Sequence, residues 1–503
     1  MPQNFIESSR DQSFLLPPSL RDWLPEDHLA WFVIQTVDEL DLAAFFSAYR
    51  ADGLGRAAYD PAVMVALVLY SFSIGERSAR AIEAHCRQDV AFRVICGNLT
   101  PDHATIARFL RRHEQALCAL FGSVLGLCER AGLVGSRVVA IDGTKVSGNA
   151  NRDRTVDYDQ IAREIIADAI KVDEAEDELY GDQRGDELPE ELRTHEGRRE
   201  WLRRELGRDH EANVETGGEG GEFDADRIVD RIQGRQGWTR EARRHLEADR
   251  WANPAPVARA RSERLRDAAG RLEDELAAET RGNRAYEQWR AGGQMRDGRR
   301  FSRPPNPWQP PEIPAGTVNL TDPDTKLMKG MRNYIQGYNA QAVVNDQQIV
   351  LAAEITNDPG DFSHLRPMVQ SMISELNSAG VTDRPQLVVA DAGYWNEEHI
   401  NEVIADHHLQ VLIPPDSGKR STPRRGWSGG LYDWMRHVLD TDVGREHYRQ
   451  RRETVEPLFG HTKHNRKFTR FHRRGRLRVR TEWRLLMTTH NLTKLHRYQL
   501  AAG

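Results

Sequence analysis

The sequence predicts an α/β protein with a helical N-terminal region, a mixed-sheet core, and a charged helical insertion after the first core strand. Three observations carry this. Residues 22–132 repeat apolar side chains at helical period with few strand signals. Two buried-type strands, Ser136-Arg-Val-Val-Ala-Ile-Asp and Gln386-Leu-Val-Val-Ala-Asp, each end in an aspartate, Asp142 and Asp391. Between them, over roughly 151–314, large apolar residues thin out and Arg, Glu, Asp and Ala take over.

The first domain is expected at 1–135, opening with a loose lead over 1–17. Within it, 78–86, 89–96 and 102–115 read as short helices, with Gly97-Asn98 as a breaker and Thr100-Pro101-Asp102 as a start signal. The stretch Thr105-Ile-Ala-Arg-Phe-Leu-Arg-Arg-His resembles the second helix of a helix-turn-helix. That would turn Arg108, Arg111 and Arg112 toward phosphates or base edges. A helical bundle with ordinary surface arginines fits the same residues.

Residues 136–150 supply the first core strand. An aspartate at the end of so apolar a run is costly to bury unless paired or bound to a metal; capping the turn at Gly143 is the plainer role. The insertion, 151–316, shows helical stretches at 160–178, 190–206 and 255–279, a glycine-rich break at 217–222 and a proline-rich exit at 303–311. It is expected to be a hairpin or loose coiled coil standing off the body. The core resumes at 317–503. An antiparallel pair (334–344 and 348–356) turns at Asn345-Asp346, then come a helix at 364–379, the Asp391 strand, a helix at 396–407 and a strand at 409–415.

The 503 residues carry a formal net charge of −6, but unevenly. From Arg445 to Arg497 there are 16 Lys and Arg against 4 Asp and Glu, the footprint of a polyanion partner such as double-stranded DNA. The four cysteines form no CxxC pair, no secretory signal stands at the start, and no apolar run approaches a membrane span. A cytoplasmic, nucleoid-associated protein is the expectation.

The basic block contains one further candidate acid. Taken as a helix, Arg452, Glu456, Phe459 and Lys463 follow at steps of four, three and four, and so share a face, beside an apolar stripe of Val455, Phe459 and Thr462. Pro457 is expected to start or kink this helix. An ion-paired surface helix explains the stretch by itself. Joined with Asp142 and Asp391, however, Glu456 completes a set of hard oxygen donors suited to Mg²⁺ or Mn²⁺, with two ions as in two-metal phosphoryl-transfer sites.

Five motifs now add a family resemblance: Ala140-Ile-Asp-Gly-Thr-Lys, Gly337-Tyr-Asn-Ala-Gln-Ala-Val-Val, Thr356-Asn-Asp-Pro, Val389-Ala-Asp-Ala-Gly-Tyr and Thr454-Val-Glu-Pro-Leu-Phe-Gly-His-Thr-Lys. With these and its N-terminal helical region the chain resembles the DDE transposases of bacterial insertion sequences, most of all the IS1182 group. The resemblance implies an RNase H-like core with Asp142, Asp391 and Glu456 as acidic triad and metal ligands. It implies hydrolysis of phosphodiesters at the element ends, then joining of the freed 3′-hydroxyls to target DNA. The family signature Tyr-x2-Arg-x3-Glu-x6-Lys is met by Arg452, Glu456 and Lys463. Tyr448 stands one residue too far upstream and Arg449 takes its slot. Arg452 and Lys463 are expected on the transposon-end phosphates, with Arg449, Tyr448 and Lys145 as further DNA contacts. Tyr394 and Trp395 either stack on a displaced base or pack at the strand end. A homodimer, at least on DNA, follows from the need to pair two ends. Two alternatives stay open: an inactive or domesticated DNA-binding protein, and a metal-dependent nuclease that joins nothing.

Overall fold

The computed structural model describes residues 19–49, 57–135, 137–180, 197, 234–253, 260–294, 299–301, 303–330, 333–416 and 429–502. Seven helices come first: α1 (Leu29–Glu39), α2 (Ala43–Phe46), α3 (Pro61–Ser73), α4 (Ala79–Gln88), α5 (Val90–Ile95), α6 (His103–Arg112) and α7 (Glu114–Arg130). Short polar side chains start them. Asp60, Ser78, Asp89 and Asp102 each accept a first-turn N–H, and Pro61 sits just inside α3. Gly97 and Asn98, both at positive φ, stop the chain after α5 as the sequence anticipated. The expected helix 102–115 is instead two helices, parted at His113.

β1 (Val138–Ser147) then leads to the short strand β2 (Thr155–Val156) and α8 (Tyr158–Tyr180). Apart from residue 197, the expected helix at 190–206 lies outside the described residues, as does the glycine-rich break. α9 (Arg235–Ala252) and α10 (Arg261–Gly292) form a helical hairpin with Trp238 fully buried between them. Gly282 permits the close approach, because a Cβ there would meet the Trp238 carbonyl at 2.9 Å. β3 (Val318–Asn319) pairs antiparallel with β2 and closes the neck of the insertion. Contrary to expectation, the hairpin does not stand off the body. Glu247 of α9 accepts a hydrogen bond from Asn357 at 2.6 Å, and the Arg476 guanidinium lies 4.0 Å from the Trp251 ring. Charged helices that looked self-sufficient carry side chains whose partners belong to the core.

The main sheet gathers β4 (Lys326–Lys329), β5 (Tyr334–Asn345), β6 (Val350–Thr356), β7 (Leu387–Ala390) and β8 (Gln410–Leu412) around β1. Its order is β4-β5-β1-β7-β8, with β6 also on β5. β5 runs antiparallel to β1, whereas β7 and β8 run parallel. This is a mixed α/β architecture, covered by α11 (Leu365–Ser378), α12 (Glu397–His407), α13 (Gly430–Asp440), α14 (Asp442–Gly460) and α15 (Arg476–Ala502).

α15 packs between β6 and α7, burying Val479, Trp483, Leu486, Met487 and Leu492. Here the basic block needs correcting. Arg480 makes a two-pronged pair with Glu354 at 2.5 Å, Arg484 reaches Glu375 at 2.6 Å, and Arg473 reaches Glu114 at 2.9 Å. Arg466, 4 % exposed, donates to the Leu486 and Thr489 carbonyls. Much of the counted positive charge therefore holds the sheet to the N-terminal helices and is not offered to a polyanion.

Candidate active site

The register of the sheet sets two acids side by side. Ile141 of β1 lies opposite Ala390 of the parallel strand β7, so the next residue on each strand is an aspartate, Asp142 and Asp391. The Asp142 carboxylate accepts from the Gly143 N–H at 2.8 Å, and Asp391 caps the turn Ala392–Tyr394 by accepting from the Gly393 N–H at 2.8 Å. The Asp142 carboxyl is pushed up to about 6, chiefly by burial and with help from the neighbouring Asp391 charge, against the opposing pull of Arg451. Asp391 is also raised, chiefly by burial. Two half-buried acids that resist ionising together form a site that wants positive charge.

α14 brings that charge. Arg451 donates to Asp142 Oδ2 at 2.9 Å, and its other nitrogen stands 3.9 Å from Glu456 Oε1. The expected arginine, Arg452, is exposed on the other side of the helix. The reason is helical stagger. Arg451 precedes Val455 by four and Leu458 by seven, which puts it on the buried stripe, whereas Arg452 shares the exposed face of Glu456. Tyr448, three before Arg451, is half-buried beside its guanidinium, with ring centroid 5.9 Å away. Arg449 pairs with Glu446 at 2.9 Å on the outer surface. Glu456 itself is 57 % exposed and meets the aspartates only across Arg451.

Pro457 neither starts nor ends α14. It lies inside it, and the Glu453 carbonyl that its missing N–H would have bonded accepts instead from the Gln348 side chain at 3.3 Å. A π-helical turn, His461–Asn465, follows. It carries Lys463 to the Lys145 carbonyl at 3.5 Å, where burial lowers the ammonium's pKa and nearby Asp142 opposes that shift. Lys145 in turn acts on Asp391, helping to keep that carboxylate charged.

Tyr394 and Trp395 need a correction as DNA-stacking candidates. They are 0 % and 4 % exposed, so neither ring offers a face to a base. The Tyr394 hydroxyl donates to Gln341 Oε1. That contact explains part of the Gly337-Tyr-Asn-Ala-Gln motif. Gly337 lies directly under the Val146 carbonyl, where no Cβ fits; Tyr338 donates to Asp322 at 3.0 Å; and Asn339 and Gln341 both donate to Asp361 at 2.8 Å. Asp361 escaped the sequence reading. It stands three residues past Asp358 of the Thr356-Asn-Asp-Pro motif, in a loop with no helical or strand period to orient it. Of the N-terminal candidates, Arg108, Arg111 and Arg112 are all exposed, and Arg112 also donates to the Ala48 carbonyl and lies 4.4 Å over the Tyr49 ring.

Two protein-family models match the chain: Transposase domain (DUF772) over residues 18–112, and Transposase DDE domain over residues 417–496. The chain is thus similar to transposase domains over both of these stretches. Both agree with a DDE transposase of the IS1182 type. No curated protein and no solved structure matches it. The matched DDE stretch holds Arg451, Glu456 and Lys463, while Asp142 and Asp391 fall between the two matched stretches. Among the described residues no three His, Cys, Asp or Glu side chains stand close enough together to hold a metal ion. The donor chemistry nevertheless fits a hard divalent cation at Asp142 and Asp391, two carboxylates set side by side on adjacent strands. A cavity of about 1140 Å³ lies between α9, β6 and α11; Gln341 and the Thr356-Asn-Asp-Pro motif border it, but Asp142, Asp391, Arg451, Glu456 and Lys463 do not.

Proposed function

We propose that the chain is the DNA transposase of a bacterial insertion sequence, with Asp142, Asp391 and Glu456 as its catalytic carboxylates. The observation that carries the reading is the pair of aspartates that follow the paired residues Ile141 and Ala390 on adjacent parallel strands, in a chain with a match to a transposase DDE domain. The sheet order supports an RNase H-like core: β1 is central, with antiparallel β5 and then β6 on one side and parallel β7 and β8 on the other.

Asp142, Asp391 and Glu456 would hold Mg²⁺ or Mn²⁺, two ions in this reading. Such ions supply Lewis-acid charge at a phosphodiester and make a hydroxyl nucleophilic near neutral pH. The chain's own cations do the rest. Arg451 presents a planar fork matched to two phosphate oxygens, and Lys463 and Lys145 add point charges on the same rim. With a metal held at Asp142, Arg451 would be free to turn from that carboxylate to the scissile phosphate. The exposed Arg452, Lys467 and Arg474 would follow the DNA backbone, giving salt-dependent affinity. Water or a freed 3′-hydroxyl then attacks phosphorus in line and the opposite oxygen leaves. The partners are double-stranded DNA ends and a target duplex, engaged by at least a dimer in the bacterial cytoplasm. Among the described residues no helix is long and apolar enough to cross a membrane.

The test is cleavage of DNA bearing the element's own flanking ends, with Mg²⁺ or Mn²⁺. Wild type should free 3′ ends and join them to plasmid. Asp142→Asn, Asp391→Asn and Glu456→Gln should bind the same DNA without nicking it. Equal cutting by all four proteins would place the site elsewhere, and nicking without joining would make the enzyme a nuclease.

A further inference from the structure

We infer that Asp361 is a fourth carboxylate of this site, acting through water on a divalent cation held by Asp391, with Asn339 and Gln341 as its positioning residues. The inference rests on the metal reading above and adds a residue to it. Asp361 lies in the loop between β6 and α11, and two amides fix it: Asn339 Nδ2 and Gln341 Nε2 both donate to Oδ1 at 2.8 Å. Those bonds leave Oδ2 as the free oxygen. It faces Gly393, the residue whose N–H caps Asp391: a Cβ there would lie 3.5 Å from Asp361 Oδ2 and 2.9 Å from Asp391 Oδ1. Gly143, next to Asp142, faces the same group, and a Cβ there would meet Asp361 Oδ1 at 2.9 Å. Gly143 within β1 and Gly393 after β7 thus both face Asp361, and a side chain at either would crowd the carboxylates.

A second observation points to a ligand. Asn339 is 1 % exposed, and its Oδ1 is a buried acceptor with no hydrogen-bond donor. It points toward Gly143, at 2.8 Å from a Cβ placed there. An orphaned buried acceptor costs about 1–3 kcal/mol unless something donates to it. A water on a cation at Asp391 could donate to this oxygen and to Asp361 Oδ2. Direct coordination is not required, in keeping with the spacing of the acids.

The experiment is Mn²⁺ binding to the full-length protein without DNA, by calorimetry or the electron paramagnetic resonance of free Mn²⁺. Asp361→Asn is the informative variant, because its amide oxygen can still accept from Asn339 and Gln341 while Oδ2 loses its charge. It should weaken Mn²⁺ about 10–100-fold, the usual effect of removing a carboxylate that orients a metal's ligands. Asp361→Glu, which keeps the charge, should retain more of the affinity, and it serves as the readout if the Asn variant melts early. Asp358→Asn, in the same loop, should bind like wild type. On an Asp391→Asn background the Asp361→Asn loss should disappear, since both act on one ion. If Asp391→Asn weakens Mn²⁺ but Asp361→Asn does not, or if the two losses add, Asp361 is structural and the inference fails alone. If wild type binds no Mn²⁺, or Asp391→Asn binds it unchanged, the metal reading itself fails.

Discussion

Removing the charge of Asp142 should stabilise the metal-free protein while abolishing its chemistry. The acid ionises near 3.8 when unfolded and at about 6 in the folded chain, a difference of about 3 kcal/mol at roughly 1.4 kcal/mol per pH unit. That figure already contains the opposing help from Arg451. Between the two values the folded chain holds the extra proton, so stability falls as pH rises through about 4 to 6 and stays reduced above. Asp142→Asn mimics the protonated form at every pH. In EDTA its melting temperature should nearly match wild type at pH 4 and exceed it at pH 8, with the gap opening across that window. Mn²⁺ should then raise wild type and leave the variant unmoved, because an occupied site repays the cost that the empty one carries. The reasoning is refuted if the variant melts no higher than wild type at pH 8, or if the gap is as large at pH 4. A refuting result would mean that Arg451 compensates the buried charge in full.

Three further outcomes follow from the contacts. Arg451→Ala should reduce end cleavage at least 100-fold in a strand-nicking assay, with Arg452→Ala within severalfold of wild type, because only Arg451 reaches Asp142. Tyr394→Phe removes the donor to buried Gln341, and urea unfolding should show a loss of about 1–3 kcal/mol. Its affinity for end DNA in a mobility-shift assay should not change, since the ring is buried. Glu354→Ala strips the shared partner from Arg480 and Arg484 and should cost about 3–5 kcal/mol by the same unfolding measurement.

How far the sequence could be read depends on what each inference needed. The two aspartates were legible because an apolar run long enough to be a buried strand makes an acid at its end conspicuous. Their adjacency was not legible, since register is decided by which strands pair. The Ile141–Ala390 pairing exists only once β1 and β7 lie together. The charge of the C-terminal block misled for a related reason. A count of arginines cannot tell Arg480, folded onto Glu354 some 126 residues earlier in the chain, from Lys467, which faces solvent. Asp361 stayed invisible because its meaning comes from two amides on a neighbouring strand and not from its own surroundings in sequence.

The arginine is the instructive case, because the information was present and was read in the wrong frame. Counting back four from Glu456 reaches Arg452, and that answer assumes that the acid and its arginine partner lie on one face. Counting back four from Val455, the residue whose burial orients the helix, reaches Arg451 instead, with Tyr448 three further back. A helix is turned by what it buries, so the apolar stripe decides which cation reaches the sheet, and a charged neighbour such as Glu456 takes the direction left over. The tyrosine that stood one residue out of step with Glu456 is thus in step with Arg451. The pair keeps its internal spacing, and Glu456 is the member displaced, which accounts for its 57 % exposure and for its standing 3.9 Å from Arg451, the residue that meets Asp142.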